Sequence, residues 1–106
     1  MPPEISVNNF SEALAKGAYA IDVREVNEYV EGHVPGIRLM PVSRFSSFLE
    51  ELPKDRTIYV ICRSGNRSST AANYLTMKGF DAVSVSGGTV EWIKAGKPVA
   101  VGMEEG

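Results

Sequence analysis

The sequence predicts an open, mainly parallel α/β sheet. Short apolar, β-rich runs alternate with amphipathic stretches along the whole chain, and glycine or proline marks most of the junctions between them. No segment repeats, and 106 residues suit one small domain with one core. Strands that alternate with helical stretches form βα units, whose crossovers are right-handed by the general rule.

Taken in order, Ile5 and Val7 make a first strand, and Asn9 with Glu12 resembles a capping box opening a helix through Phe10, Ala13 and Leu14 to Gly17. Tyr19 to Val23 is a second strand. Val26, Tyr29 and Val30 keep helical spacing before Gly32, and Ile37 to Val42 reads as a short third strand between Pro35 and Pro41. Ser43 then caps a helix whose Phe45, Phe48, Leu49 and Leu52 form one apolar stripe, ended by Pro53. Thr57 to Ile61 is the most uninterrupted β-type run, as expected of a central strand covered on both faces. A polar segment, Arg63 to Ser69, leads into a helix with Ala71, Ala72 and Leu75 that stops at Gly79. Ala82 to Val85 is the fifth strand, and after Gly87-Gly88, Thr89 caps a last helix with Val90 and Ile93 inward. From Gly96 the chain reads as loose, which places a single domain at 1–98 and a C-terminal tail at 99–106.

Composition narrows the function classes. Hydrophobic residues make up 43% and charged residues 23%, which excludes disorder, collagen-like structure and a coiled coil. A net charge of -2 speaks against wholesale nucleic-acid binding. One cysteine and one histidine, Cys62 and His33, allow neither an intrachain disulfide nor a Cys/His zinc site, so no metal and no cofactor is expected. No apolar run approaches the ~18 residues of a membrane span, and Met1 to Ile5 has the features of no secretory signal. The expected setting is a reducing, cytoplasmic one, away from membranes.

Cys62 stands where the predicted central strand meets the following helix, the edge at which open parallel sheets bind ligands. The loop Arg63-Ser64-Gly65-Asn66 separates it from Arg67. Backbone N–H groups of such a loop, running into a helix N-terminus, make an anion cradle, and Gly65 permits the turn. The same field lowers a cysteine's pKa and raises the fraction of nucleophilic thiolate. Residues 56 to 80 contain Arg56, Arg63, Arg67 and Lys78 but no acidic residue, so this stretch is basic within an acidic chain. A buried, inert core thiol is the bland alternative for a lone cysteine.

The run Cys62-Arg63-Ser64-Gly65-Asn66-Arg67-Ser68 resembles the active-site loop of single-domain rhodaneses, the thiosulfate-type sulfurtransferases. Asp22-Val23-Arg24-Glu25, followed by Gly32-His33-Val34-Pro35-Gly36, and Gly87-Gly88-Thr89-Val90-Glu91-Trp92 resemble two further motifs of that family. The resemblance implies a rhodanese-like fold, five mainly parallel strands with helices on both faces. It also implies double displacement: Cys62 takes the outer sulfur of an anionic donor such as thiosulfate, becomes a persulfide, and passes the sulfur to cyanide or another thiophilic acceptor. By the same implication, Arg63, Ser64, Gly65, Asn66, Arg67 and Ser68 hold the persulfide, and Arg63 attracts the donor. Arg67 either faces the substrate or pairs with Asp22. Asp22 and Arg24 are assigned to an ion pair between loops, His33 to fixing its turn rather than to a Cys-His dyad, and Trp92 to the core.

Three alternatives remain: a persulfide relay exchanging sulfur with a partner protein, an interaction domain without chemistry, and a cysteine phosphatase or arsenate reductase. The related phosphatases place five residues between Cys and Arg, whereas four stand here, a tighter cradle. An intact cysteine and loop favour activity over a purely interacting domain.

Overall fold

The computed structural model describes residues 3–104. Five strands, β1 (Glu4–Ile5), β2 (Tyr19–Asp22), β3 (Arg38–Leu39), β4 (Ile58–Ile61) and β5 (Ala82–Val85), form one parallel sheet in the order β1-β5-β4-β2-β3. β4 is central, as its apolar run predicts: it pairs Ile58 with both Tyr19 and Ala82, and Val60 with both Ile21 and Ser84. Because every strand runs the same way, the carboxyl ends at Asp22, Ile61 and Val85 open onto one edge.

Helices α1 (Val7–Ala15), α2 (Val26–Glu31) and α3 (Asn66–Met77) and a 3-10 helix at Val42–Glu51 connect the strands, and α4 (Gly88–Lys94) follows β5. The period of two along β4 sorts the core onto two faces. Ile58 and Val60 meet Ala71, Ala72 and Leu75 of α3, while Ile61 joins Phe10 of α1 and Trp92 of α4. Cys62 has the parity of Ile58 and Val60 and belongs to the α3 side. This is how the strand aims the thiol beneath the start of α3.

Several local expectations need correction. α1 begins at Val7, and Ser6 caps it by accepting from the Asn9 N–H at 3.1 Å, so Val7 is helical and Asn9 is not the cap. The Val42–Glu51 segment is a 3-10 helix kinked at Arg44, because i, i+3 apolar spacing suits both helix types. Ser43 does not cap it; its hydroxyl donates to Glu25 Oε1 at 3.0 Å. Thr89 lies inside α4, whose cap is Gly87, and Trp92 faces inward while Ile93 is 52% exposed. Residues 99–104 are not loose: Ala100 and His33 exchange both backbone hydrogen bonds at 2.9 Å, and the Gly102 N–H donates to Val30 O at 2.8 Å, while the last two positions of the predicted tail lie outside the described residues.

Candidate active site

The loop from Cys62 to Ser68 turns from β4 into α3 through Gly65, whose φ of +112° lies in the left-handed region that a side chain would strain. It is pinned from behind by the first turn of α4. The Thr89 N–H and hydroxyl donate to Cys62 O at 2.9 and 3.0 Å, and the Val90 N–H donates to Arg63 O at 3.0 Å. With these carbonyls drawn toward α4, the amides of Arg63 and Ser64 point the opposite way, since N–H and C=O of one peptide are antiparallel. Gly88 lets α4 approach this closely: a Cβ there would lie 2.5 Å from Cys62 O and 2.6 Å from Arg63 O.

Cys62 is 1% exposed and rests at the floor of the loop. Its Sγ accepts from the Gly65 N–H at 3.1 Å and lies 3.4 Å from Ser68 Oγ. Burial pushes the thiol's pKa up, but the Ser68 hydroxyl and the amides of Ser68, Gly65 and Ser64 outweigh it and hold the thiol below the ordinary cysteine range. Ser68 is itself buried, while Arg63, Ser64 and Asn66 are exposed around it. The loop therefore has a neutral, hydrogen-bonding floor and a polar, cationic rim.

The charged residues of the neighbouring loop pair differently from one of the two readings of the sequence. Asp22 is fully buried and binds Arg24, which donates Nε to both carboxylate oxygens at 3.0 and 3.1 Å and Nη2 at 2.8 Å. Arg24 Nη2 also reaches Gly32 O at 2.8 Å, so the pair ties the end of β2 to the end of α2. Arg67 does not pair with Asp22. Its two terminal nitrogens bind the two oxygens of Glu28 at 2.6 and 2.7 Å, a fork linking α3 to α2. Hydrogen bonding from Arg67 holds Glu28 down at about 2, against an ordinary 4.5. Glu28 was not singled out in the sequence, although Glu25 and Glu28 have capping-box spacing and the Glu25 N–H does donate to Glu28 Oε1 at 3.2 Å.

His33 is buried and stacked on the Tyr29 ring at 3.6 Å. Its Nδ1 meets Tyr29 O at 2.8 Å and its Nε2 meets Glu104 O at 2.7 Å, so both ring nitrogens face carbonyls and neither serves Cys62. Beside the loop opens a cavity of about 450 Å³ lined by Arg24, Glu28, Glu31, Arg63, Val90 and Ile93 among others. Arg63 forms no salt bridge among the described residues. Its guanidinium is thus available to a bound anion.

Thiol, cradle and parallel sheet match a known family. The model of the rhodanese-like domain matches residues 6–95. The chain belongs to the rhodanese-like domain family. A sulfurtransferase of Allochromatium vinosum is 32% identical over 102 residues, 93% of this chain and 95% of that protein. A thiosulfate sulfurtransferase of Pseudoalteromonas translucida is 36% identical over 90 residues, 83% of this chain and 86% of that one. Among solved structures, a rhodanese-related protein from Thermoplasma volcanium superposes with a TM-score of 0.88 at 32% identity, over 94% of this chain and 99% of that chain. Sulfur transfer is the activity to which this rhodanese-like domain and its relatives point. No described helix is long and apolar enough to cross a membrane.

Proposed function

We propose that this domain moves sulfane sulfur by double displacement through Cys62. The observation that carries the reading is the buried Cys62 sulfur, which accepts from the Gly65 N–H and lies beside the Ser68 hydroxyl, in a loop whose exposed Arg63 forms no salt bridge among the described residues. In the first half-reaction the thiolate attacks the outer sulfur of thiosulfate; the S–S bond breaks, sulfite leaves with its electron pair, and Cys62 becomes a persulfide anion. In the second, cyanide attacks the outer sulfur, thiocyanate leaves, and the Cys62 thiolate returns. Each step transfers one neutral sulfur atom, so no external oxidant or reductant enters.

The loop amides supply the same stabilisation to the thiolate and to the persulfide anion, which spreads its charge one atom further out. Ser64 and Asn66 line the rim, and Gly65, Arg67 and Ser68 set the shape of the cradle. A thiol of a partner protein is a second class of acceptor, and Ile93, half exposed at the cavity's edge, offers it an apolar contact. A free nucleophilic thiol suits a reducing compartment such as the cytoplasm.

The test is intact mass after incubation with thiosulfate, alongside thiocyanate formation and a phosphatase assay on the same preparation. The expected result is a gain of one sulfur atom and thiocyanate turnover, both lost in Cys62→Ser, with no phosphatase activity. Transfer that persists in Cys62→Ser, or phosphate release without sulfur uptake, contradicts the reading.

A further inference from the structure

Behind the cradle lies a buried hydroxyl that the proposed cycle leaves unused. Ser84, on β5, shares the face of Ala82 and pairs across the sheet with Val60, so it points under α3 beside the thiol. It is fully buried in a strand that is otherwise apolar. Its Oγ lies 2.8 Å from Ser68 Oγ, and among the described residues it has no other side-chain partner.

The proton directions follow. A hydroxyl has one proton to donate and two lone pairs that accept. A buried donor needs an acceptor, and for Ser84 that acceptor is Ser68 Oγ. Ser84 therefore donates to Ser68 and withdraws as an acceptor for the Ser68 proton. Two acceptors then remain for that proton: Gly65 O at 3.2 Å and Cys62 Sγ at 3.4 Å. While Cys62 is a thiol, the Ser68 hydroxyl rests on Gly65 O. Once the thiolate forms, the anion is the stronger acceptor and the hydroxyl turns to sulfur.

We propose that Ser84 is a positioning residue for sulfur transfer: its hydroxyl donates to Ser68 and thereby strengthens the hydrogen bond that Ser68 gives Cys62 Sγ whenever that sulfur carries charge. The inference deepens the reading given above and rests on it for the second half-reaction. There Cys62 is the leaving group, and a leaving thiolate that accepts a hydrogen bond departs faster; as an attacking nucleophile the same thiolate is slightly blunted. Ser84 thus favours discharge of the persulfide at a small cost in attack by the fully ionised thiol. A residue that merely filled space would not push the two halves in opposite directions.

The experiment compares Ser84→Ala, Ser68→Ala and the double variant with the parent chain. Cys62 is the only thiol in the chain, so alkylation by iodoacetamide, followed by intact mass against pH, reads it alone. Ser84→Ala is expected to raise the alkylation midpoint by about 0.2 to 0.5 pH unit, since one bond of a cooperative chain is lost. Ser68→Ala raises it further, and adding Ser84→Ala to Ser68→Ala moves it no more, because Ser84 acts through Ser68. Ser84→Thr, which keeps the hydroxyl, retains the parent midpoint. On the persulfide form, Ser84→Ala slows discharge to cyanide by roughly 1.5-fold without lowering the alkaline plateau of alkylation. An unmoved midpoint in Ser84→Ala, or the same shift in the Ser68→Ala background, overturns the proposal. The parent chain's mass gain with thiosulfate is measured in parallel. Its absence would refute the sulfur-transfer cycle, while the alkylation midpoints still decide the role of Ser84.

Discussion

The loops that follow β2 and β4 leave the same edge of the sheet, yet they use polar groups in opposite ways. After β2, Asp22 and Arg24 are buried and engage each other and Gly32 O, so their charges are compensated where they stand. After β4, the floor of the loop is neutral: amides and the Ser68 hydroxyl converge on one sulfur, and the uncompensated cation, Arg63, stays at the exposed rim. The difference teaches that the paired charges beside the loop tie neighbouring elements together, whereas groups of no formal charge surround the sulfur. Burying an unpaired arginine beside the sulfur would cost more than the several amides that replace it.

The sharpest way to break this contrast is to halve the buried pair. Arg24→Ala leaves the Asp22 carboxylate buried without its guanidinium and is expected to cost about 3 to 5 kcal/mol in chemical denaturation. A loss below about 1 kcal/mol, the range of exposed pairs, would show that the β2 loop does not depend on compensated burial. Next in size is Gly88→Ala, whose added Cβ meets the carbonyls of Cys62 and Arg63. It is expected to destabilise by about 1 to 3 kcal/mol, as overpacking does, and to reduce sulfur uptake because the loop must shift. Normal uptake would mean that the α4 clamp does not set the cradle.

Arg67→Ala sharpens the comparison, because its fork with Glu28 is neither buried nor free: the side chains are 35% and 25% exposed. After discounting for solvent screening, the pair contributes about 1 kcal/mol. Its sign with pH is set by Glu28, whose folded value of about 2 lies below the ordinary 4.5. The contribution is therefore fully present above the unfolded value and disappears as pH falls toward the folded one. The stability gap between the parent chain and Arg67→Ala should close between about pH 5 and pH 2. A gap that is constant across that window excludes the Glu28 partnership. The smallest stability effect belongs to Arg63→Ala, within about ±0.5 kcal/mol, as for surface substitutions. Its consequence is expected in weaker apparent affinity for thiosulfate, measured by initial rates of sulfur uptake.

Much of this arrangement was legible from residue order alone. Short apolar, β-rich runs located β2, β4 and β5, and a cysteine followed by a glycine-containing polar loop marked the turn from β4 into α3, because both signals are local. Pairings across the sequence were not legible. Arg67 lies 39 positions from Glu28 and had two carboxylates within plausible reach; only the seating of α3 against α2 decides between Asp22 and Glu28. Ser84 in an apolar strand carries no pattern that separates it from a core filler, and the return of Ala100 to His33 depends on a backbone ladder that side chains do not encode. Ser6 is masked in the sequence by Asn9 and Glu12, whose spacing three residues later resembles a capping box.

The central claim is that uncharged groups of the β4–α3 loop lower the pKa of Cys62 despite its burial, and the pH profile of Cys62 alkylation in the parent chain tests it most directly. The account predicts half-maximal reaction clearly below about 8.5, the value of a free cysteine. A midpoint at or above that value would make Cys62 an ordinary buried thiol and contradict the account.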